Sequence, residues 1–311
     1  MSPITRAVGL VAFTTVLVAA WFGATDPAQN LAPVMLSVVL WVGVLWASAL
    51  LGGVWRGLNP WDTLAAAVTR TLGPTPAPAP PDRSLVWSHW PAAAGLLAFI
   101  WLELAYVTPS SPRAIAIGLS VYTVGILACA AVFGRRWVQT GEAFTVLFGL
   151  VAHIAPIGRR DDGSLTVRLP FAGLATLVPR RGTVAVVMIV LGGTTFDGVS
   201  RTPWWGSQIR LTAGWERTGV NTLGLVGVIA IVTLVYLAAS YLGAVIGGTA
   251  RRDAPARAIH ALVRSPSHTR SPTTSRCWSS RGKARGASSR TRSAVAGTCS
   301  ERLTTRSTTS R

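Results

Sequence analysis

Six apolar runs, each close to the length of a bilayer crossing, decide what this chain can fold into. They cover residues 7–23, 34–54, 91–108, 114–134, 182–197 and 220–247. Each is apolar all round, so none keeps a polar face for water. At 1.5 Å rise per residue, about 20 such residues cross a hydrocarbon core of about 30 Å. Backbone polar groups in hydrocarbon need internal partners, which helices supply. Half of the 311 residues are hydrophobic and 13% are charged; mean hydropathy is +0.44. The expected fold is all-α: a polytopic transmembrane helix bundle of about six spans. A re-entrant or interfacial helix and a disordered basic tail complete it.

The opening run follows Arg6 and is too long for a typical signal peptide. It also lacks a convincing cleavage site, so it is expected to be a retained first span. Charge divides the chain in two. Residues 1–248 hold 15 arginines and nine acids, and residues 249–311 hold 14 basic residues and two acids. Residues 1–250 are therefore expected to form a transmembrane helical domain and residues 251–311 a disordered Arg/Ser/Thr-rich tail. Only Cys129 lies in the apolar body, so no disulfide framework is implied.

Glu103 stands inside the third run, PAAAGLLAFIWLELAYVT. Ionisable groups at such depth are costly, face the bundle interior and mark functional pathways. Helical spacing puts Glu103 on a face with Leu96, Phe99, Tyr106 and Val107, which makes the Tyr106 hydroxyl its nearest polar neighbour in the helix. The alternative is a neutral acid, buried and hydrogen-bonded to a backbone carbonyl.

Tryptophans gather near the run ends, at Trp55, Trp61, Trp87, Trp90, Trp137, Trp204, Trp205 and Trp215. They are expected to form an interfacial belt rather than a ligand cage. After the second run, Asn59 can cap a helix, Pro60 fits its first position, and Asp62 complements its N-terminus. This predicts a short helix in the membrane plane. The proline-rich residues 74–81 follow as a semi-rigid linker.

Residues 142–157 are ambiguous. They are too short for a comfortable crossing, with Phe144, Leu147, Phe148 and Val151 on one face and Glu142, Thr145, Gly149 and His153 on the other. The positive-inside rule arbitrates. A re-entrant or interfacial segment places Arg159, Arg160, Arg168, Arg180 and Arg181 on the same side as Arg56, Arg70, Arg83, Arg135 and Arg136. That arrangement gives six spans, a cytoplasmic N-terminus and a multi-pass protein of the cytoplasmic membrane. Residues 161–170 alternate like a small hairpin. In the fifth run, Gly192 and Gly193 permit close helix approach, and Thr194 and Thr195 can bond back to carbonyls. Asp197 either begins a turn with Gly198 or gates a cavity at the membrane edge.

No phosphate-binding glycine loop, HExxH, CxxC or GxSxG motif is present. What remains is a sparse polar set within the membrane: Glu103, Tyr106, Tyr122, Glu142, His153 and Asp197. Such groups suit proton or ion relay in a transporter. They also suit a hydrolase in which His153 and carboxylates hold a divalent metal that activates water. A non-catalytic assembly protein is the third class. Glu103, His153 and Asp197 are the candidate catalytic residues. The lipid bilayer is the expected partner, and no nucleic acid is.

The stretches GVWRGLNPW (53–61), WLEL (101–104), GEAFTVLFGLVAHIAPIGR (141–159) and TTFDG (194–198) resemble a poorly characterised family of actinobacterial polytopic membrane proteins. Some of its members carry the name fenitrothion hydrolase. The resemblance covers roughly residues 5 to 263 and implies hydrolysis of an organophosphate triester, by a metal-activated water. The chain starts later than the family's longer N-terminal region, and its C-terminal residues depart from the family.

That departure has a coding explanation. From about Ser265 the tail has no apolar periodicity. Joining the last base of each codon to the first two of the next changes its character. His268–Thr269 then encodes only tyrosine or histidine, and Cys277–Trp278 must encode leucine. Residues 265–282 can read VPIAYAVAHYFSLLVFQG, an apolar helix, and residues 291–309 can read DPLGRGWDLFGTADYTIDY, a loop. The tail is thus expected to be an out-of-frame translation, and the chain to lack a helix, part of its polar site and its activity. Sequencing the gene on independent reads should reveal the shifted frame near codon 264. An uninterrupted frame, with an ordered and packed tail, refutes it.

Overall fold

The computed structural model describes residues 3–71, 88–159, 165–247 and Pro255. All of them belong to one compact unit, Met1–Ser265. The proline-rich linker, the loop of the expected hairpin and the Arg/Ser/Thr-rich tail lie outside the described residues.

The described part is an all-α bundle. Five helices are long and apolar enough to cross a membrane. They are α1 (Pro3–Phe22), α2 (Leu31–Leu51), α6 (Pro112–Phe133), α9 (Thr183–Ser200) and α11 (Gly214–Ile246). Between them run α3 (Val54–Leu58), α4 (Pro60–Thr71), α5 (Trp90–Leu104), α7 (Val138–Gly141), α8 (Ala143–Val151) and α10 (Pro203–Ile209). Strands β1 (Ile157–Arg159) and β2 (Leu165–Val167) pair antiparallel, with Gly158 opposite Thr166. The expected hairpin is therefore displaced, its first strand preceding residue 161.

The long helices carry large apolar side chains on their outer faces. Val11 is 64% exposed, Val124 67%, Val132 70% and Leu223 76%. So wide an apolar surface is unfavourable in water and ordinary against lipid tails. Inside, one core joins Trp55, Trp61, Leu96, Phe144, Phe148, Val186, Phe196 and Leu225.

Two expectations need correction. Helix α5 holds 15 residues, about 22 Å at 1.5 Å each, and is short for a full crossing. It ends at Leu104, so Tyr106 lies beyond it, tilted against Trp101 and edge to face with Trp215. The tryptophans also divide. Trp90, Trp204 and Trp215 are exposed as a belt requires, whereas Trp55, Trp61 and Trp205 are buried in the core.

Helix direction follows from shared neighbours. The His89 N–H donates to the Arg181 carbonyl at 3.0 Å, so α5 and α9 start side by side. Their far ends meet the start of α6 around one cavity, lined by Glu103, Asp197 and Ile115. Helix α6 therefore ends at the level where α5 and α9 begin, and residues 134–182 leave and return at the same end of the bundle. Helix α8 has nine residues, about 13 Å, and cannot cross alone. Its C-terminal end is held by Arg168, which donates to the carbonyls of Ala152 at 3.2 Å and Ala155 at 3.0 Å.

Gly192 and Gly193 act as expected. A Cβ on Gly192 would lie 2.6 Å from Ile229, and one on Gly193 would lie 2.9 Å from Ile100. These contacts let α9 pack against both α11 and α5. Single cysteines at Gln29 and Leu211 should label from one side of the membrane, and cysteines at Arg136 and Arg180 from the other. Labelling of Arg136 and Arg180 from opposite sides contradicts this topology.

Candidate functional site

Two of the three sequence-predicted residues meet. Glu103, in the last turn of α5, and Asp197, in the last turn of α9, line a cavity of about 590 Å³. Ser37 of α2 joins them and is the hydroxyl that interacts with the Glu103 carboxyl. The other walls include Trp41, Phe99 and Ile100. The α2 wall comes from Met35–Val44, which is wound as a π-helix. That form is rare and recurs at functional sites.

Helix α9 continues through Gly198 to Ser200, so Asp197 does not begin a turn. Its carboxylate instead pairs with Arg201 one turn on, at 3.0 Å, with both side chains substantially exposed. Such a pair contributes at most about 1 kcal/mol, and Asp197 keeps access to the cavity. Thr194 and Thr195 bond back to the carbonyls of Val190 and Leu191.

A second polar centre lies beneath the cavity. Phe99, in the cavity wall, meets Phe144 edge to face with ring centroids 5.2 Å apart. Phe144 follows two residues after Glu142, which is wholly buried. Glu142 caps α8 rather than lying on its polar face. Its carboxylate accepts from the Phe144 N–H at 2.9 Å and the Thr145 N–H at 2.7 Å. The Tyr122 hydroxyl donates at 2.6 Å, the Thr145 hydroxyl at 2.5 Å and the Asn59 amide at 3.4 Å. Burial pushes the Glu142 carboxyl above the usual carboxylate range, and the bonds from Thr145, Tyr122 and Phe144 oppose that rise. Five donors on two oxygens match an anion, and the positive end of α8 adds to them.

The network reaches both flanking motifs. Asn59 donates to the Thr145 hydroxyl at 2.7 Å, while its carbonyl oxygen accepts the Asp62 N–H at 3.1 Å and so caps α4 as expected. Asp62 takes two bonds from Arg135, at 2.9 and 2.5 Å. Gly95 leaves room for the Tyr122 ring, which a Cβ would approach to 3.1 Å. Glu142 and Tyr122 belong to the polar set read from sequence, but spacing alone pairs Glu142 neither with Tyr122 nor with Asn59. The available signal was a carboxylate placed immediately before an apolar helix, with a threonine three residues on.

His153 is not part of the cavity. It follows α8, and its Nδ1–H donates to the Gly149 carbonyl at 2.8 Å. The short α8 ends before His153, and the partner of its ring is Gly149. Among the described residues, no three His, Cys, Asp or Glu side chains gather closely enough to hold a metal ion. The described residues therefore bring together two carboxylates, Glu103 and Asp197, without a third ligand of these types for the divalent metal that hydrolysis would call on.

No family model, no curated protein and no solved structure matches this chain.

The Glu142 network yields a stability test. Tyr122→Phe removes one donor to a buried carboxylate and should cost about 1.5–3 kcal/mol. Thermal unfolding in detergent reads this as a clear fall in Tm. An unchanged Tm means the Tyr122–Glu142 bond contributes nothing to the fold.

Proposed function

We propose that this chain is a multi-pass protein of the cytoplasmic membrane that binds a cation or small cationic solute for proton-coupled transport. The observation that carries this reading is the shared cavity of Glu103 and Asp197. Membrane carboxylates that face a common cavity mark ion and proton pathways. Asp197 carries Arg201 as a partner, whereas the groups that act on Glu103 are the Ser37 hydroxyl and, as a like charge, Asp197. A cation entering the cavity offsets that repulsion, and a proton on Glu103 does the same, so the two compete for one place. With the arginine-rich end cytoplasmic, the cavity faces outward.

Hydrolysis, which the family resemblance implies, needs a water-activating group beside the carboxylates. His153 is held elsewhere by Gly149, and among the described residues the cavity brings no third His, Cys, Asp or Glu to the two carboxylates. The transport reading uses only groups that line the cavity.

Every lining residue falls between Leu36 and Arg201, so binding is measurable on this chain whatever follows residue 264. A hydrophobic carbodiimide adds to protonated carboxyl groups in apolar surroundings. Mass spectrometry should find it on Glu103, with sodium, potassium or tetramethylammonium ions protecting and His153→Gln leaving both labelling and protection intact. Failure of all three cations to protect Glu103 rejects the reading.

A further inference from the structure

The cavity holds more than carboxylates. Its volume, about 590 Å³, is far larger than a bare metal ion needs and falls within the range of small-molecule pockets. Its walls are mainly apolar and aromatic, including Leu36, Trp41, Val42, Phe99 and Ile100. Two of its hydroxyls already donate within their own helix. Thr194 donates to the Val190 carbonyl, and Ser200 donates to the Asp197 carbonyl. A hard cation stripped of water needs six or more oxygens; the oxygens of Ser37, Glu103, Ser110, Thr194, Asp197 and Ser200 line a space far wider than such an ion needs.

Trp41 and Phe99 are the informative pair. Their ring centroids lie 5.2 Å apart with planes tilted by 44°, so the rings open as a V rather than stack. Phe99 is one turn before Glu103 on α5, which puts ring and carboxylate on one face of the helix. Trp41 is one turn after Ser37 in the π-helical part of α2, and Ser37 is the hydroxyl that interacts with Glu103. The two rings and the carboxylate therefore border one space from two helices. An aromatic face attracts a cation within about 6 Å of its centroid, tryptophan most strongly, and quaternary ammonium ions are bound this way.

We propose, on the basis of the cation-site reading above, that the preferred ligand of the Glu103–Asp197 cavity is a small organic ammonium ion. Its charged head sits between the Glu103 carboxylate and the Trp41–Phe99 pair. Glu103 supplies the counter-charge and the rings replace water around the methyl or methylene groups. Asp197, held by Arg201 at the mouth, is the second, weaker attractor. This arrangement gives Arg201 a definite sign of effect. Removing its charge frees Asp197 and strengthens binding of a cation, whereas it would weaken binding of an anion and leave a neutral ester unaffected.

Equilibrium dialysis of the full chain in detergent with radiolabelled tetramethylammonium tests this. Saturable binding should be at least about tenfold tighter than that of 3,3-dimethylbutan-1-ol, whose tert-butyl group is the neutral counterpart of a trimethylammonium head, used as competitor. Glu103→Gln should weaken binding about tenfold or more, and Trp41→Leu by about three- to tenfold, with Trp41→Phe close to wild type. Arg201→Gln should tighten it by about two- to fivefold. The ligand series on the wild-type chain needs no variant to fold, and each variant is compared only after it elutes as the wild type does. Equal competition by the neutral alcohol overturns the proposal, as does tetramethylammonium binding that Trp41→Leu leaves unchanged. Protection of Glu103 from carbodiimide by sodium or potassium but not by tetramethylammonium also overturns it, while leaving the broader cation-site reading standing.

Discussion

A carboxylate with no access to solvent must find its donors inside the protein, and Glu142 dictates much of what surrounds it. Leaving such a group bare costs several kcal/mol, and the five donors that meet it come from three separate stretches of chain. Tyr122 belongs to α6, Thr145 and Phe144 to the start of α8, and Asn59 to the turn between α3 and α4. Fixing one oxygen pair therefore fixes the position of a spanning helix, a half-buried helix and a turn. The aromatic rings of Trp55, Trp61, Phe144 and Phe148 fill the space around this centre and exclude water from it. Because Asn59 also caps α4, whose Asp62 holds Arg135, the same set of bonds extends to the arginine-rich end of the bundle.

The cavity depends on this centre from above. Phe99 rests on Phe144, and Phe144 is held in place by the turn that Glu142 caps. A fully buried lower layer and a more exposed upper one follow. The upper layer has exposed side chains at Asp197 and Arg201, a short α5, and an α2 wall wound as a π-helix. Helix α9 joins the two layers, with glycines where it presses on Ile229 and Ile100 and a carboxylate at its end.

The membrane bundle was legible because hydrocarbon permits so few structures. Run length and uniform apolarity placed five long helices to within a few residues at most ends, and Asn59, Pro60 and Asp62 announced α4 through local capping chemistry. Charge counting gave the return of residues 134–182 to one end. What sequence could not give was tertiary. Helical spacing paired Glu103 with Tyr106, but the helix stops at Leu104, and the actual neighbours Ser37 and Asp197 come from other helices. Trp61 and Trp55 were read as belt residues because they sit near run ends, although the packing of α3 and α4 against α6 and α8 buries them. His153 looked comparable to Glu103 and Asp197 as a lone polar group, and only the short α8 separates it from them. Glu142 was visible as a polar residue, yet its partners lie 20 and 83 positions away in sequence.

The account stands on Glu103 and Asp197 facing one space from which His153 is absent. Disulfide-scale cross-linking in native membranes measures this directly. In a background with Cys129, Cys277 and Cys299 replaced by serine, paired cysteines at 103 and 197 should join through a short bifunctional thiol reagent. Pairs 103 with 153 and 197 with 153 should not. Cross-linking of 153 to either carboxylate position, with none between 103 and 197, would contradict the shared cavity and return the hydrolase triad to consideration.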